Sequence, residues 1–141
     1  MIAEKEPRII ITPNFGELLV QNDYVFRFEN GILGFEDLKD YILVSDEDTE
    51  PFKWLIAIEA PEIGFPILSP FFIDQTYKYG RDYEGEENVP FVIITLGGGD
   101  ITANLKAPVI LNVETQKGEQ VILPSEKYSP NHILKLNSEV K

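Results

Sequence analysis

The sequence of 141 residues contains no cysteine and a single histidine, His132. Without cysteine the chain has no disulfide framework, no thiolate nucleophile and no cysteine-based zinc site, and one imidazole cannot form a histidine cluster. Long apolar runs are also missing, because no stretch approaches the roughly 20 residues that a membrane-spanning helix needs. The amino terminus lacks a basic region followed by an apolar core, so these absences predict a cytoplasmic protein with no membrane segment.

Basic residues are scarce, since 12 Lys and Arg stand against 24 Asp and Glu for a formal net charge of −12. Proteins that bind nucleic acid hold phosphates with Lys and Arg, so this balance disfavours nucleic acid as a direct ligand. Residues 1–90 carry 19 acids and seven bases, whereas residues 91–141 carry five of each. Ten acids and two bases lie between Glu29 and Glu62, which is typical either of solvated loops or of a surface that meets a basic partner.

The composition is that of one globular domain. Hydrophobic residues make up 43% of the chain, which is enough for a core, and no composition break marks a domain boundary. We expect a single domain over residues 1–141, with its core at about residues 8–124 and a tail over residues 125–141.

Short apolar runs bounded by turn residues predict ten strands. They lie at Arg8–Thr12, Gly16–Val20, Tyr24–Phe28, Tyr41–Val44, Phe52–Glu59, Phe65–Leu68, Phe91–Leu96, Ile101–Leu105, Val109–Val113 and Glu119–Leu123. This spacing predicts an all-β fold with minor helix, an antiparallel β-barrel or sandwich. The best helical candidate is Phe35–Asp40, for a turn or two.

Two local patterns predict particular surfaces. In the run Phe52–Glu59 the residues Phe52, Trp54, Ile56 and Ile58 recur at period two on one face, with Lys53 and Glu59 on the other, which predicts a strand buried on one face only. Three tyrosines, Tyr77, Tyr79 and Tyr83, lie in a polar stretch and are more than a small core requires. Tyrosine is enriched in protein interfaces, although an edge hairpin is the simpler interpretation of this stretch.

The motifs that could carry chemistry are weak. Gly97-Gly98-Gly99-Asp100 lacks the Lys-Ser/Thr and the helix of a phosphate loop, so a hairpin turn is favoured. Asp46-x-Asp48-x-Glu50 resembles a calcium loop, but Pro51 stands where that loop needs glycine. We therefore predict no catalytic residues, no metal and no cofactor. The alternative is a small-molecule-binding or carboxylate-dependent hydrolytic β-barrel, because some pair among 24 acids will be close by chance.

Four ordered strings of residues carry a family resemblance. They are Asn30-Gly31-Ile32-Leu33-Gly34-Phe35-Glu36, Pro51-Phe52-x-Trp54-Leu55, Ser69-Pro70-Phe71, and Ile101-Thr102-Ala103-Asn104-Leu105-Lys106-Ala107-Pro108-Val109-Ile110-Leu111-Asn112 followed by Thr115, Gly118 and Gln120. The last string is the longest and the most specific. From about Tyr24 to about Leu134 the chain resembles FliW, a family of bacterial flagellar assembly factors.

The resemblance implies a cytoplasmic, FliW-like β-barrel that is not an enzyme and binds two proteins in turn. These partners are flagellin and the translational repressor CsrA, and antagonism of CsrA relieves repression of flagellin mRNA translation. The charge of the chain agrees with this expectation, because a repressor that presents basic residues to RNA suits an acidic surface.

Six candidate protein-binding residues follow, four from the acidic segment and two from the longest string: Asp37, Asp40, Glu47, Glu50, Asn104 and Lys106. The acidic four are candidates through their charge. Asn104 and Lys106 either face a partner or brace a loop, because an asparagine in a strand is otherwise unfavourable.

Overall fold

A computed structural model of the chain describes residues 8–96 and 99–134. The strands are β1 Arg8–Thr12, β2 Gly16–Val20, β3 Val25–Phe28, β4 Asp40–Ser45, β5 Lys53–Ala57, β6 Gly64–Leu68, β7 Asn88–Thr95, β8 Thr102–Ala103, β9 Val109–Asn112, β10 Lys117–Gln120 and β11 His132–Ile133. Single-turn 3₁₀ helices lie at Asn22–Tyr24, Glu47–Thr49, Pro70–Phe72 and Arg81–Tyr83. Each predicted run overlaps a strand, and β11 was not predicted.

Seven strands close a barrel in the order β3, β4, β5, β6, β7, β9 and β10, and the pairing of β10 with β3 completes the ring. Neighbouring strands are antiparallel except β10 and β3, which run parallel with Gly118 opposite Phe28. The predicted all-β barrel is confirmed, and this one parallel pair departs from an entirely antiparallel ring. The β7–β8 hairpin is also confirmed by the pairing of Ile94 with Ala103, although Gly97 and Gly98 lie outside the described residues.

Apolar side chains fill the barrel. Phe28, Leu55, Ile67 and Val109 are fully buried members of one cluster. Alternate positions along each strand supply them, because successive side chains of a strand point to opposite faces. The interior is therefore a packed core built from strands that are distant in sequence.

Tyr41 brings a polar atom into this core. Its ring meets that of Phe28 edge to face, with the centroids 5.2 Å apart. The hydroxyl is buried without a hydrogen-bond partner among the described residues. Burial, with a smaller contribution from the charge of Glu59, raises the pKa of Tyr41 to about 12.

The β1–β2 hairpin packs as a second layer on the outside of the barrel. Ile10 and Val20 of the hairpin lie against Ile42 of β4 and Ile56 of β5. The two hairpin strands pair in register from Arg8 with Val20 to Thr12 with Gly16. The hairpin therefore covers the outer faces of β4 and β5.

This second layer overturns the prediction that β5 is buried on one face only. Leu55 and Ala57 belong to the barrel core, while Trp54 and Ile56 pack beneath the hairpin. The prediction was wrong because it assigned the face of Lys53 and Glu59 to solvent, although Leu55 and Ala57 on that face are apolar and lie in the barrel core.

A third cluster ties residues 121–134 to the barrel. The Tyr128 ring packs on Tyr77 with the centroids 4.6 Å apart, and the Tyr77 hydroxyl donates to the Leu105 carbonyl at 2.6 Å. The Leu105 N–H donates to the Ser129 carbonyl at 2.9 Å, and β11 pairs with β8. The tail thus folds onto the barrel as far as Leu134, and residues 135–141 lie outside the description.

Two further expectations from the sequence were wrong. The tyrosine-rich stretch is not an edge hairpin, because it ends in the 3₁₀ helix Arg81–Tyr83 and buries Tyr77 in the third cluster. Phe35–Asp40 forms turns and the first residue of β4 rather than a helix. Two separate turns occupy this stretch, because the Phe35 N–H donates to the Ile32 carbonyl at 2.6 Å and the Leu38 N–H donates to the Phe35 carbonyl at 3.1 Å. Gly34, within the first of these turns, has a φ of +87°, which does not continue a helix. Within the described residues no helix has the length and apolar character to cross a membrane.

Candidate protein-binding surfaces

The four acidic candidates fall into two groups at opposite ends of β4. Asp37 and Asp40 lie at the start of this strand, and Glu47 and Glu50 lie in the loop that follows it. A six-residue strand spans about 20 Å, so the structure does not bring the four carboxylates into one patch. We call the first pair the leading acidic group and the second pair the trailing acidic group.

Two of these carboxylates have basic neighbours. Asp40 Oδ2 lies 3.2 Å from Arg27 Nη1, and Glu50 Oε2 lies 3.5 Å from Lys53 Nζ. Both ion pairs are partly exposed, so each contributes little to stability. Asp37 and Glu47 are exposed and have no side-chain hydrogen bond to the described residues. The net negative charge that a partner meets therefore rests on Asp37 and Glu47 more than on the other two.

Neighbouring loops enlarge the leading group. Because Tyr41 pairs with Ala57, the loop between β5 and β6 lies at the same end of the barrel and adds Glu59 and Glu62. Asp46 and Asp48 likewise extend the trailing group within its own loop. Each end of β4 thus presents several carboxylates, and complementary charge on a partner would favour encounter at either end.

Asn104 and Lys106 brace a loop. Asn104 Oδ1 accepts hydrogen bonds from the Lys106 and Ala107 N–H groups at 3.1 and 3.0 Å. Lys106 Nζ donates to the Ser125 carbonyl at 2.8 Å and lies 4.0 Å from Glu126. The bracing alternative is therefore observed for both residues, and contact of either with a partner stays a prediction.

Other polar residues of the longest string are also engaged with backbone groups. Asn112 Oδ1 accepts from the Glu114 and Thr115 N–H groups at 3.0 and 2.9 Å, which shapes the turn before β10. Gln120 Oε1 accepts from the Leu33 N–H at 2.9 Å, and its Nε2 donates to the Ala107 carbonyl at 3.2 Å. This string therefore joins loops that lie far apart in sequence.

A surface pocket of about 430 Å³ opens beside β9 and β10, and its lining includes the acids Glu29, Asp82 and Glu119. Glu119 accepts a hydrogen bond from the Tyr83 hydroxyl at 3.1 Å, and Glu29 lies 3.9 Å from Lys117. Two of its three acids therefore already have partners. Across residues 8–96 and 99–134, no three acidic or histidine side chains are arranged to hold a metal ion.

Sequence reasoning missed an apolar surface on the hairpin. Ile9, Ile11 and Leu19 are exposed by 60%, 70% and 50%. A signal was present, because Ile9-Ile10-Ile11 within one strand cannot all point inward when side chains alternate. Because Ile10 is buried between the hairpin and the barrel, Ile9 and Ile11 face outward.

Comparison with known proteins identifies the family. The family model described as FliW protein matches residues 9–134, most of the chain. This chain belongs to the FliW family. The flagellar assembly factor FliW of Caldanaerobacter subterraneus subsp. tengcongensis is 38% identical over 133 residues, covering 86% of this chain and 89% of that protein. FliW of Thermosipho africanus is 34% identical over 131 residues, covering 84% of this chain and 90% of that protein.

A solved FliW structure agrees with the fold. The crystal structure of the flagellar assembly factor FliW superposes with a TM-score of 0.82 at 34% identity, covering 92% of this chain and 98% of that chain. The likeness therefore extends over most of both chains. The sequence resemblance to the FliW family is thereby confirmed at the level of both sequence and fold.

Proposed function

We propose that this FliW-family chain is a non-catalytic regulator that binds flagellin and CsrA in turn in the cytoplasm. In this scheme flagellin occupies the protein while flagellin is abundant. Export of flagellin then releases the protein to bind CsrA and relieve repression of flagellin mRNA translation. The observation that carries the proposal is membership of the FliW family over residues 9–134, together with relatives that are named flagellar assembly factors.

The distribution of charge supports the CsrA part of the proposal. Asp37 and Glu47 are exposed at the two ends of β4 and lie among further acids of their loops. An RNA-binding repressor needs a basic surface, and opposite potentials on two proteins raise the rate of encounter and restrict the choice of partner. The chain would reach mRNA through this basic protein and not through direct contact with RNA.

Binding of the purified full-length chain to purified CsrA and to purified flagellin tests the proposal. We expect a complex with each, and we expect CsrA affinity to fall with added salt because exposed charges are screened over about 8–10 Å at physiological ionic strength. Flagellin added to the CsrA complex should release CsrA. Absence of a complex with either protein at low salt would contradict the proposal.

The packed interior gives no support to the alternative of a small-molecule or hydrolytic barrel. A hydrolytic site needs an acid whose pKa is raised toward neutrality. The pocket with Glu29, Asp82 and Glu119 is the place to test for a bound small molecule.

A further inference from the structure

Strand β2 has a free edge. It pairs with β1 along one side, and among the described residues no strand lies along the other. The unpaired edge of a strand presents a row of main-chain donors and acceptors that an incoming strand can satisfy. The barrel strands beneath the hairpin differ, because each of them has a neighbour on both sides.

A groove of about 300 Å³ runs beside this edge. Its lining includes Leu18 and Leu19 of β2, Tyr24, and residues Ile42 to Ser45 of β4. Because adjacent residues of a strand point to opposite faces, a groove that touches both Leu18 and Leu19 lies along the edge of β2 and not beneath one face. We call this feature the edge groove.

The edge groove combines apolar side chains with the polar side chains of Gln21 and Ser45, and it is partly open to solvent. Leu19 and Tyr24 are 50% and 51% exposed, whereas Ile42 is buried and Val44 is half-buried on the outer face of β4. Alternate side chains of an added strand would reach Leu19, Tyr24 and Val44, the exposed or half-buried apolar residues of the lining, while its backbone paired with β2. The geometry thus provides both the main-chain and the side-chain parts of strand addition.

Charge around the edge groove is mainly negative. Glu17, Asp23 and Asp46 flank the lining residues along the chain, and all three are at least partly exposed. Two bases are near in sequence or register: Arg8, opposite Val20, and Lys53, which bonds Ser45 Oγ at 3.1 Å and lies 3.5 Å from Glu50. Because Glu50 offsets Lys53, acids outnumber unpaired bases around the groove.

We propose that the edge groove receives an extended segment of a protein partner, with alternating apolar residues and flanking basic residues, which adds to β2 as a new strand. The acidic surroundings select a basic segment over a second copy of this chain, since two copies with a net charge of −12 each would bring like charges together. The inference rests on the proposed function only in taking the partner to be a protein.

A defined peptide tests the edge groove in the intact chain. The probe is a nine-residue peptide of alternating valine and threonine with a lysine at each end, titrated into the full-length ¹⁵N-labelled protein. We expect amide shifts confined to β2, Tyr24 and β4, and binding that weakens as salt is added. The same peptide with glutamate at each end should bind at least about tenfold more weakly, because its ends meet the acids around the groove.

Leu19→Asp and Ile9→Asp form the matched pair of variants. The two residues pair across the hairpin and are both exposed, but only Leu19 lines the edge groove. We expect Leu19→Asp to weaken the lysine peptide by about tenfold or more, as loss of a central apolar contact does, and Ile9→Asp to leave it unchanged. Tyr24→Ser is a second groove variant, and near-ultraviolet circular dichroism checks that each variant is folded.

Four outcomes of the peptide and variant experiments would contradict strand addition at the edge groove. Equal weakening by Leu19→Asp and Ile9→Asp, shifts outside the groove, or no binding at millimolar peptide would overturn the proposal. So would a dimer of the free protein that Leu19→Asp dissociates, because a second copy would then cover the groove. If the peptide binds as expected but flagellin and CsrA do not, the proposed function fails alone. If both proteins bind and the peptide does not, the edge groove fails alone.

Discussion

The neutral segment 101–120 and the acidic segment 29–62 differ in what their polar side chains bind. In the neutral segment, Asn104, Asn112 and Gln120 each satisfy backbone groups of loops. In the acidic segment, Asp37 and Glu47 extend into solvent without a side-chain bond to the described residues. One segment uses polar atoms to fix the course of the chain, and the other presents charge.

This difference separates the longest family string from the residues that would meet a partner. The longest family string is the neutral one, and its polar residues serve the fold. A residue that braces a loop should show its effect in the free energy of unfolding, whereas an exposed carboxylate should show its effect in the rate of association. Substitutions in the two segments test this division.

The largest expected effect is at Gly118 in the neutral segment. A Cβ built there would overlap the ring of Phe28, which is fully buried in the barrel core. We expect Gly118→Ala to lower the free energy of unfolding by about 1–3 kcal/mol through overpacking. Urea unfolding followed by tryptophan fluorescence measures it.

Gly64→Ala is the control for this change. Its Cβ would meet Ile56 Cγ1 at 3.5 Å and the Leu55 carbonyl at 3.8 Å, which are ordinary contacts. The control should be neutral or slightly stabilising, because alanine loses less entropy on folding. Equal midpoints for the two variants would mean that the Phe28 ring moves to admit the methyl group and that β10 and β3 are not tightly packed there.

Asn104 gives the second effect. Asn104→Ala leaves two backbone N–H groups without their acceptor, so we expect a loss of about 1–2 kcal/mol. Asn104→Asp keeps an acceptor oxygen and should recover most of the stability. Asp37→Ala and Glu47→Ala, from the acidic segment, should change stability by no more than about 0.5 kcal/mol. A larger loss at Asp37 or Glu47 than at Asn104 would reverse the comparison.

The sequence reveals strands better than it reveals layers. The bounds of β1 and β2 match the prediction, because both apolar runs end at the turn residues between Thr12 and Gly16. That the hairpin folds over β5 depends on contacts between distant residues, which alternation along one strand cannot show. The site follows the same rule, since the total charge is visible in composition. That Glu59 and Glu62 join the acids at the start of β4 depends on the register of β4 with β5, which composition does not show.

The third effect concerns association with CsrA and treats the acidic groups separately. We expect Asp37→Lys with Asp40→Lys, or Glu47→Lys with Glu50→Lys, to slow association on the order of tenfold at low salt for the group that CsrA meets. The dissociation rate should change little, and the difference should shrink as salt is added. Stopped-flow mixing of the full-length chain with CsrA measures both rates.

Glu114→Lys with Glu126→Lys is the matched control. Both acids are exposed, lie outside the acidic segment, and give the same change in net charge. If this variant slows CsrA as much as the other two, net charge alone governs the encounter and neither end of β4 is a docking surface. A selective effect of one pair would instead assign CsrA to that end.

The smallest effect at neutral pH concerns Tyr41, the polar group of the acidic segment that is buried and not solvated. Its hydroxyl has no hydrogen-bond partner among the described residues. Removing an unsatisfied buried polar group costs little, so Tyr41→Phe should leave the free energy of unfolding unchanged or raise it by up to about 1 kcal/mol. If Tyr41→Phe lowered the free energy of unfolding by more than about 1 kcal/mol, the hydroxyl would have a hydrogen-bond partner, such as an internal water.

The same variant should alter stability at high pH. Burial raises the pKa of Tyr41 from 10.0 to about 12 in the folded chain. Below pH 10 the folded and the unfolded states both keep the tyrosine proton, so the free energy of unfolding does not depend on this group there. Between pH 10 and 12 only the unfolded state loses the proton, and the free energy of unfolding falls by up to about 1.4 kcal/mol per pH unit. Tyr41→Phe should reduce this slope without abolishing it, because burial also raises the pKa of Tyr77. Identical slopes for the two proteins would mean that the Tyr41 hydroxyl ionises as readily in the folded chain as in water.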